Sequence, residues 1–193
     1  MRIRFLVILL ALLAGGCLAT RHEHFSSEKG DPLPLKAGRY ACVADTSMMP
    51  DRGGRPPPSI FTNDSTLALF FNVLEIRAMA QGNRYALTGT SGNARPFAFH
   101  KVSDDIYAAS TTGQSTFSMN WFFRVSEGRL ALLFHMDTGA LETLAVKMKV
   151  RLHQGMPPID GIEGTKENER SFIDAFIALP TLRPASNCTF VSE

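Results

Sequence analysis

Two short groups of histidine and acidic residues carry side chains that could bind a metal ion or transfer a proton. His135 and Asp137 are two residues apart, and in a strand both side chains would point to one face. Such a pair can ligate a metal ion or act as an acid and a base. His22-Glu23-His24 holds a second set of donors. The sequence assigns no further ligand to either group, so we interpret both as solvated polar residues and expect no bound metal.

Residues 1–16 have the organisation of a secretory signal peptide. Arg2 and Arg4 precede an apolar run of ten residues that begins at Phe5, and two glycines follow it. The uncharged stretch ends before Arg21 and has 16 residues. This is shorter than the roughly 18–20 residues that cross a bilayer as a helix. We therefore expect an exported chain that is not an integral membrane protein.

The end of this segment, Leu13-Ala14-Gly15-Gly16-Cys17, resembles the lipobox of bacterial lipoproteins. The resemblance covers the first 17 residues and departs from the usual pattern at Ala14, where the family has leucine. It implies cleavage before Cys17, a diacylglycerol on the Cys17 thiol and an acylated amino terminus, which together anchor a protein stably on a membrane. The residue after the cysteine is Leu18, whereas an aspartate at this position marks retention at the inner membrane. The leucine therefore favours the outer membrane of the cell envelope. Ordinary signal cleavage, with Cys17 unmodified, is the alternative.

If Cys17 carries lipid, Cys42 and Cys188 are the two cysteines that remain. An even pair in an exported protein favours a disulfide, which here would close a loop of about 146 residues. Chain entropy gives such a closure a stabilisation of about 5 kcal/mol, as an upper value. Two buried free thiols are the alternative.

Several function classes are excluded at this stage. The sequence contains no Gly-x-Ser-x-Gly elbow, no phosphate-binding loop, no His-Glu-x-x-His and no Cys-x-x-Cys. Without the two arginines of the signal, 18 basic residues face 18 acidic ones, so no net positive field gathers nucleic acid. We therefore expect a protein that is not an enzyme, has no cofactor and does not bind nucleic acid.

The remainder of the chain divides into two parts. Residues 17–35 are polar, contain two prolines and show no apolar period, which predicts a lipidated N-terminus followed by a flexible linker. Residues 36–193 form the folded domain, in which short runs of alternating polar and apolar residues recur about every ten residues. We also predict one helix, over 166–179, capped by Thr165 and ended by Pro180.

The alternating runs predict about eight antiparallel strands with tight turns between them. The predicted strands are 38–45, 66–80, 84–90, 95–102, 105–111, 116–125, 129–137 and 141–153, followed by a short extended piece at 187–191. A helix over 66–74 is the alternative for the start of the second strand. Eight such strands can close on themselves, so the predicted fold is an all-β, antiparallel up-and-down barrel with one C-terminal helix. This architecture resembles that of the lipocalins over 36–193, with Gly38-Arg39-Tyr40 where that family has Gly-x-Trp.

The predicted interior face of the barrel is rich in aromatic residues. The alternation places on it Phe97, Phe99, Trp121, Phe123, Phe134 and Met136. A barrel of this size either fills with its own side chains or holds one small ligand. We expect a non-catalytic binding barrel for an apolar or amphiphilic ligand in the cell envelope. The alternative is a protein-binding or inhibitor module, because Tyr40-Ala41-Cys42 is similar to the start of bacterial lipoproteins that inhibit lysozyme.

Overall fold

The computed structural model describes residues 17–44, 72–80, 83–88, 94–111, 118–134, 138–156 and 159–193. These residues form eleven strands and two α-helices. The elements are β1 (Cys17–Thr20), β2 (Gly38–Ala44), β3 (Asn72–Ala78), β4 (Arg84–Thr88), β5 (Ala94–Lys101), β6 (Ile106–Thr111), β7 (Ser118–Ser126), β8 (Arg129–Phe134), α1 (Thr138–Met148), β9 (Arg151–Met156), β10 (Ile159–Glu163), α2 (Lys166–Ile177) and β11 (Arg183–Ser192).

Eight of the strands close an antiparallel barrel, as the alternating pattern predicts. Strands β2 to β8 each pair with the next along the chain, and β11 closes the ring by pairing with both β8 and β2. Strand β7 is long enough to pair with two different strands along one of its edges. Its second half pairs with β8 and its first half with β1, which continues through β10 to β9 as a small side sheet.

The predicted strand over 141–153 is wrong. Helix α1 occupies most of it, and β9 follows outside the barrel. Leu141, Leu144 and Ala145 are buried at helical spacing, whereas Val146 is 81% exposed, although a strand would bury it with Leu144. The apolar residues of this stretch satisfy both periods, and the packing of the helix decides between them. The eighth barrel strand is β11, which extends the short piece predicted at 187–191 in both directions.

The barrel has two different ends. At the turn end, residues 102–105 join β5 to β6, and Glu127-Gly128 joins β7 to β8. At the loop end, the strands lead into segments 45–71, 89–93, 112–117 and 135–137, which lie outside the described residues. The N-terminal half of the second predicted strand, or alternative helix, falls in the first of these segments.

Two hydrophobic clusters hold the fold together. The first fills the interior of the barrel and contains residues from every one of its eight strands. The second lies between the outer face of β6, β7 and β8 and the two helices, where the rings of Phe122 and Phe176 are 5.2 Å apart. The predicted C-terminal helix is confirmed as α2, with Thr165 capping it through the N–H of Asn168. Helix α2 therefore flanks the barrel and does not plug it.

Residues 17–35 differ from the flexible linker that their composition predicts. Strand β1 pairs with β7 and β10, and Leu18, Phe25 and Leu33 are buried. Gly30 is packed so closely that a Cβ atom there would lie 2.7 Å from the backbone nitrogen and oxygen of Phe99. We call residues 21–37 the strap, because they run from β1 to β2 against the barrel. Its apolar residues are too far apart in sequence to form a local period: Phe25 joins the cluster between the barrel and the helices, whereas Leu33 joins the barrel interior.

None of the helices in the described ranges has the length and hydropathy needed to cross a membrane.

Candidate functional site

The interior of the barrel gathers four of the six residues that the sequence predicts to line a ligand site. Phe97, Phe99, Trp121 and Phe123 belong to one buried cluster. The pleat of β7 causes this, because Trp121 and Phe123 face inward while Phe122, between them, packs against α2. Two further residues were predicted for this face. Phe134 is the last residue of β8, and nothing is described of its side chain. Met136 lies outside the described residues, as do His135 and Asp137.

The middle of the barrel is filled by side chains. The ring of Phe99 lies 5.2 Å from that of Phe123, 5.9 Å from Tyr85 and 6.1 Å from Phe97, measured between centroids. Phe99 and Phe123 have no exposed surface. Such edge-on packing occupies the space that a ligand would need. A ligand can therefore bind only nearer to one of the two ends.

The strap closes the turn end. The backbone N–H of Leu33 donates to the Tyr85 hydroxyl at 3.0 Å, and the Tyr40 hydroxyl donates to the Lys36 carbonyl at 2.8 Å. Burial raises the pKa of Tyr40, although its hydrogen bond to Lys36 opposes this. Burial also raises the pKa of Tyr107, with the nearby Asp31 charge and Tyr85 adding to the effect. The strap and these tyrosines therefore pack closely over the turn end.

Two buried polar groups inside the barrel have no hydrogen-bond partner among the described residues. They are Nε1 of Trp121, whose residue is 8% exposed, and Oγ of Ser186, whose residue is 1% exposed. Leaving a buried donor unpaired costs about 1–3 kcal/mol, and folded proteins rarely tolerate it without a reason. Arg84 Nε and Asn120 Oδ1 also lack a hydrogen-bond partner among the described residues, but both side chains lie outside the barrel interior, and His22 Nδ1 is 3.1 Å from Glu169 Oε2. Among the described residues, Trp121 Nε1 and Ser186 Oγ are therefore the interior polar atoms that lack the usual partner.

Ser186 is a site residue that the sequence does not reveal. It lies one residue before the predicted extended piece at 187–191, so no face could be assigned to it. In β11 it alternates with exposed Asn187 and buried Cys188, and this places its hydroxyl on the interior face. The predicted disulfide between Cys42 and Cys188 is confirmed, with 3.9 Å between the Cα atoms. The disulfide fixes β11 against β2 two residues from Ser186.

The histidines of the strap have a structural role. Glu169 is fully buried, and its Oε2 accepts the backbone N–H of His22 at 3.0 Å and lies 3.1 Å from His22 Nδ1 and 2.9 Å from His24 Nε2. Its Oε1 accepts the backbone N–H groups of Arg21 and Gly164. The His22 and His24 ring centroids are 6.5 Å apart, farther than two imidazoles on one tetrahedral zinc ion. The cluster is a hydrogen-bonded clasp between the strap and α2.

A depression of about 700 Å³ lies at the turn end, on the outside of the sealed barrel. Its walls include Lys36, Ile76 and Arg77. The Arg77 guanidinium already donates to Glu75, at 2.7 Å. This surface is open to solvent and is remote from Trp121 along the strands, so we do not assign it to the ligand site.

Comparison with protein-family models, with curated protein sequences and with solved structures finds no match to this chain.

Proposed function

We propose that this protein is a non-catalytic binding barrel of the bacterial cell envelope that takes one apolar or amphiphilic ligand at its loop end. The observation that carries the proposal is the pair of unpaired polar groups, Trp121 Nε1 and Ser186 Oγ, in an otherwise apolar interior. Binding sites for small amphiphiles combine apolar walls with a few convergent polar groups. The filled middle of the barrel limits such a ligand to the half near the loop end.

The side chains near the loop end suit binding better than catalysis. Phe97, Leu87 and Leu74 surround this half of the interior, and neither they nor Ser186 can serve as an acid or base near neutral pH. Hydrolysis would need a base beside the serine hydroxyl, and the unpaired Ser186 Oγ lacks one among the described residues.

The lipid anchor at Cys17 is part of the same proposal and rests on the lipobox-like sequence. Strand β1 begins at Cys17, opposite Trp121 on β7, and the chain packs against the barrel from there. A lipidated Cys17 would therefore hold the barrel close to the bilayer, because no free linker separates the two. This position suits a ligand with an acyl chain.

A titration monitored by tryptophan emission tests the proposed function. Trp121 is the single tryptophan of the chain, so any change in emission reports on this site. We expect methyl decanoate to shift the emission and to saturate at one equivalent per chain, and ATP or Zn²⁺ to leave it unchanged. Emission that does not respond to any amphiphile, at concentrations up to the solubility limit, would contradict the proposal.

The filled middle of the barrel favours a second candidate, a protein-binding or inhibitor module. Packed rings at Phe99 and Phe123 leave less room for a ligand than a hollow barrel would. In that case, the loop end would be a surface for a partner protein. Inhibition of lysozyme by the purified domain, combined with no response to amphiphiles, would favour this candidate.

A further inference from the structure

We infer that the site selects a neutral acyl ester or protonated fatty acid, by donating hydrogen bonds from Trp121 Nε1 and Ser186 Oγ to the oxygen atoms of the ligand's ester or carboxyl group. This inference rests on the proposed function and adds the chemical class of the ligand. Its basis is that both groups are more than nine-tenths buried, face the barrel interior and have no partner among the described residues.

The strand register places the two donors on neighbouring parts of the same wall. Ser186 on β11 lies opposite Leu132 on β8, and Leu132 lies opposite Phe123 on β7. Trp121 is the next inward-facing residue after Phe123 toward the loop end. At the level of Phe123, β7 and β11 are two strand spacings apart, about 10 Å. At Trp121 the neighbour of β7 on this side is β1, and the indole ring lies in the barrel interior.

The hydrogen-bonding capacity of the Trp121 indole and the Ser186 hydroxyl determines which polar group a ligand must carry. An indole N–H can only donate, and a hydroxyl can donate while it accepts, so both groups are satisfied by acceptor oxygens. The inward-facing neighbours Phe97, Leu87 and Leu132 carry no charge. An ionised carboxylate or an ammonium group would lose its hydration here without gaining a counter-ion. A neutral carbonyl group loses the least on entering and gains both hydrogen bonds.

The filled middle of the barrel determines how the ligand lies. Phe99 and Phe123 block the path beyond Trp121, so a long chain cannot extend toward the turn end. The polar group therefore points inward to Trp121 and Ser186, and the acyl chain extends toward the loop end.

A set of four probes of equal chain length separates this inference from the proposed function. The probes are methyl decanoate, decane, decanoate and decyltrimethylammonium, each measured by displacement of the apolar fluorophore N-phenyl-1-naphthylamine at pH 8. We expect the ester to bind about ten-fold more tightly than the alkane, in line with one to two net hydrogen bonds, and the two ions to bind more weakly than the ester. Equal binding of ester and alkane would overturn the inference and leave the proposed function intact. If no probe binds, the proposed function fails.

Substitutions test which atoms are responsible. Trp121→Phe and Ser186→Ala should each weaken ester binding about three-fold, and the double variant should bring it close to the affinity for the alkane, whose own affinity stays the same. Ser126→Ala, which removes an exposed hydroxyl from β7, is the matched control and should change neither affinity. Ser186→Ala should also leave the melting temperature of the free protein unchanged or raise it, because it removes an unpaired buried group. A clear fall in melting temperature would indicate a structural partner for the hydroxyl and would overturn the inference, even if Trp121→Phe failed to fold.

Discussion

Phe99 is the residue on which the packing of the barrel interior most depends. It is fully buried and contacts the rings of Tyr85, Phe97 and Phe123. Phe99→Ala should lower the free energy of unfolding by about 3–5 kcal/mol, because a large cavity would remain among rigid rings. Urea unfolding measures this loss. Val43→Ala, at an exposed position of β2, is the control and should cost less than about 0.5 kcal/mol. A loss below about 1 kcal/mol at Phe99 would contradict a filled interior.

The tyrosines at the turn end predict a loss of stability in alkali. The pKa of Tyr107 is raised above 10.0 in the folded state, by burial first and by Asp31 next. Its neutral form therefore contributes stability that is fully present below pH 10 and is lost as the pH rises through the folded-state pKa.

Urea unfolding between pH 9 and pH 11 measures this effect. Tyr107→Phe should decline less steeply than the wild type over this range, because phenylalanine has no proton to lose. Parallel declines for the two proteins would show that Tyr107 stays accessible to solvent in the folded state. Tyr40, whose pKa is also raised by burial, accounts for part of the decline that remains.

Among the elements, the strap has the most specific attachment. The Glu169 carboxylate accepts backbone N–H groups from both sides, at His22 and at Gly164, and contacts His24. In Glu169→Gln an amide NH₂ would face one of these donors, so we expect a loss of about 3 kcal/mol in unfolding free energy. Hydrogen exchange of residues 18–25 should accelerate in the same variant.

Glu167→Gln is the matched control for the clasp. Glu167 is exposed in the same turn of α2, and its pKa is lowered by hydrogen bonds to its own backbone and to Thr165 and, less, by the charge of His22. Its substitution should accelerate the exchange of residues 18–25 far less than Glu169→Gln does. If both variants behave alike, Glu169 is not what holds the strap.

Some elements of this fold can be predicted from the sequence and others cannot, and the physical reason differs from element to element. Strands β7 and β8 are predictable because their inward and outward faces differ strongly, as Phe123 and Arg124 illustrate. Helix α1 is not, because its apolar residues Leu144 and Met148 satisfy a period of two as well as a helical period. The strap is not predictable either, since Leu18, Phe25 and Leu33 are buried by contacts with distant parts of the chain. The candidate site is half predictable: Trp121 follows from alternation, whereas the position of Ser186 depends on β11 joining the barrel.

At the scale of the whole molecule, the anchor and the packed strap predict where the barrel resides. Cys17→Ser should move the protein from the membrane fraction to the soluble fraction of fractionated cells, because the acyl chains would have no attachment. Ser26→Ala, at an exposed position of the strap, should leave the distribution unchanged. Wild-type protein that is soluble without detergent would contradict the lipid anchor.

The central claim is that the loop end of the barrel holds a ligand through the indole N–H of Trp121. A ¹⁵N–¹H correlation spectrum tests it most directly, because one tryptophan produces one indole resonance. On addition of methyl decanoate, we expect the indole proton to shift downfield, as a new hydrogen bond requires, and the shift to be complete at one equivalent per chain. An indole resonance that stays at its free position in excess ligand would contradict the claim.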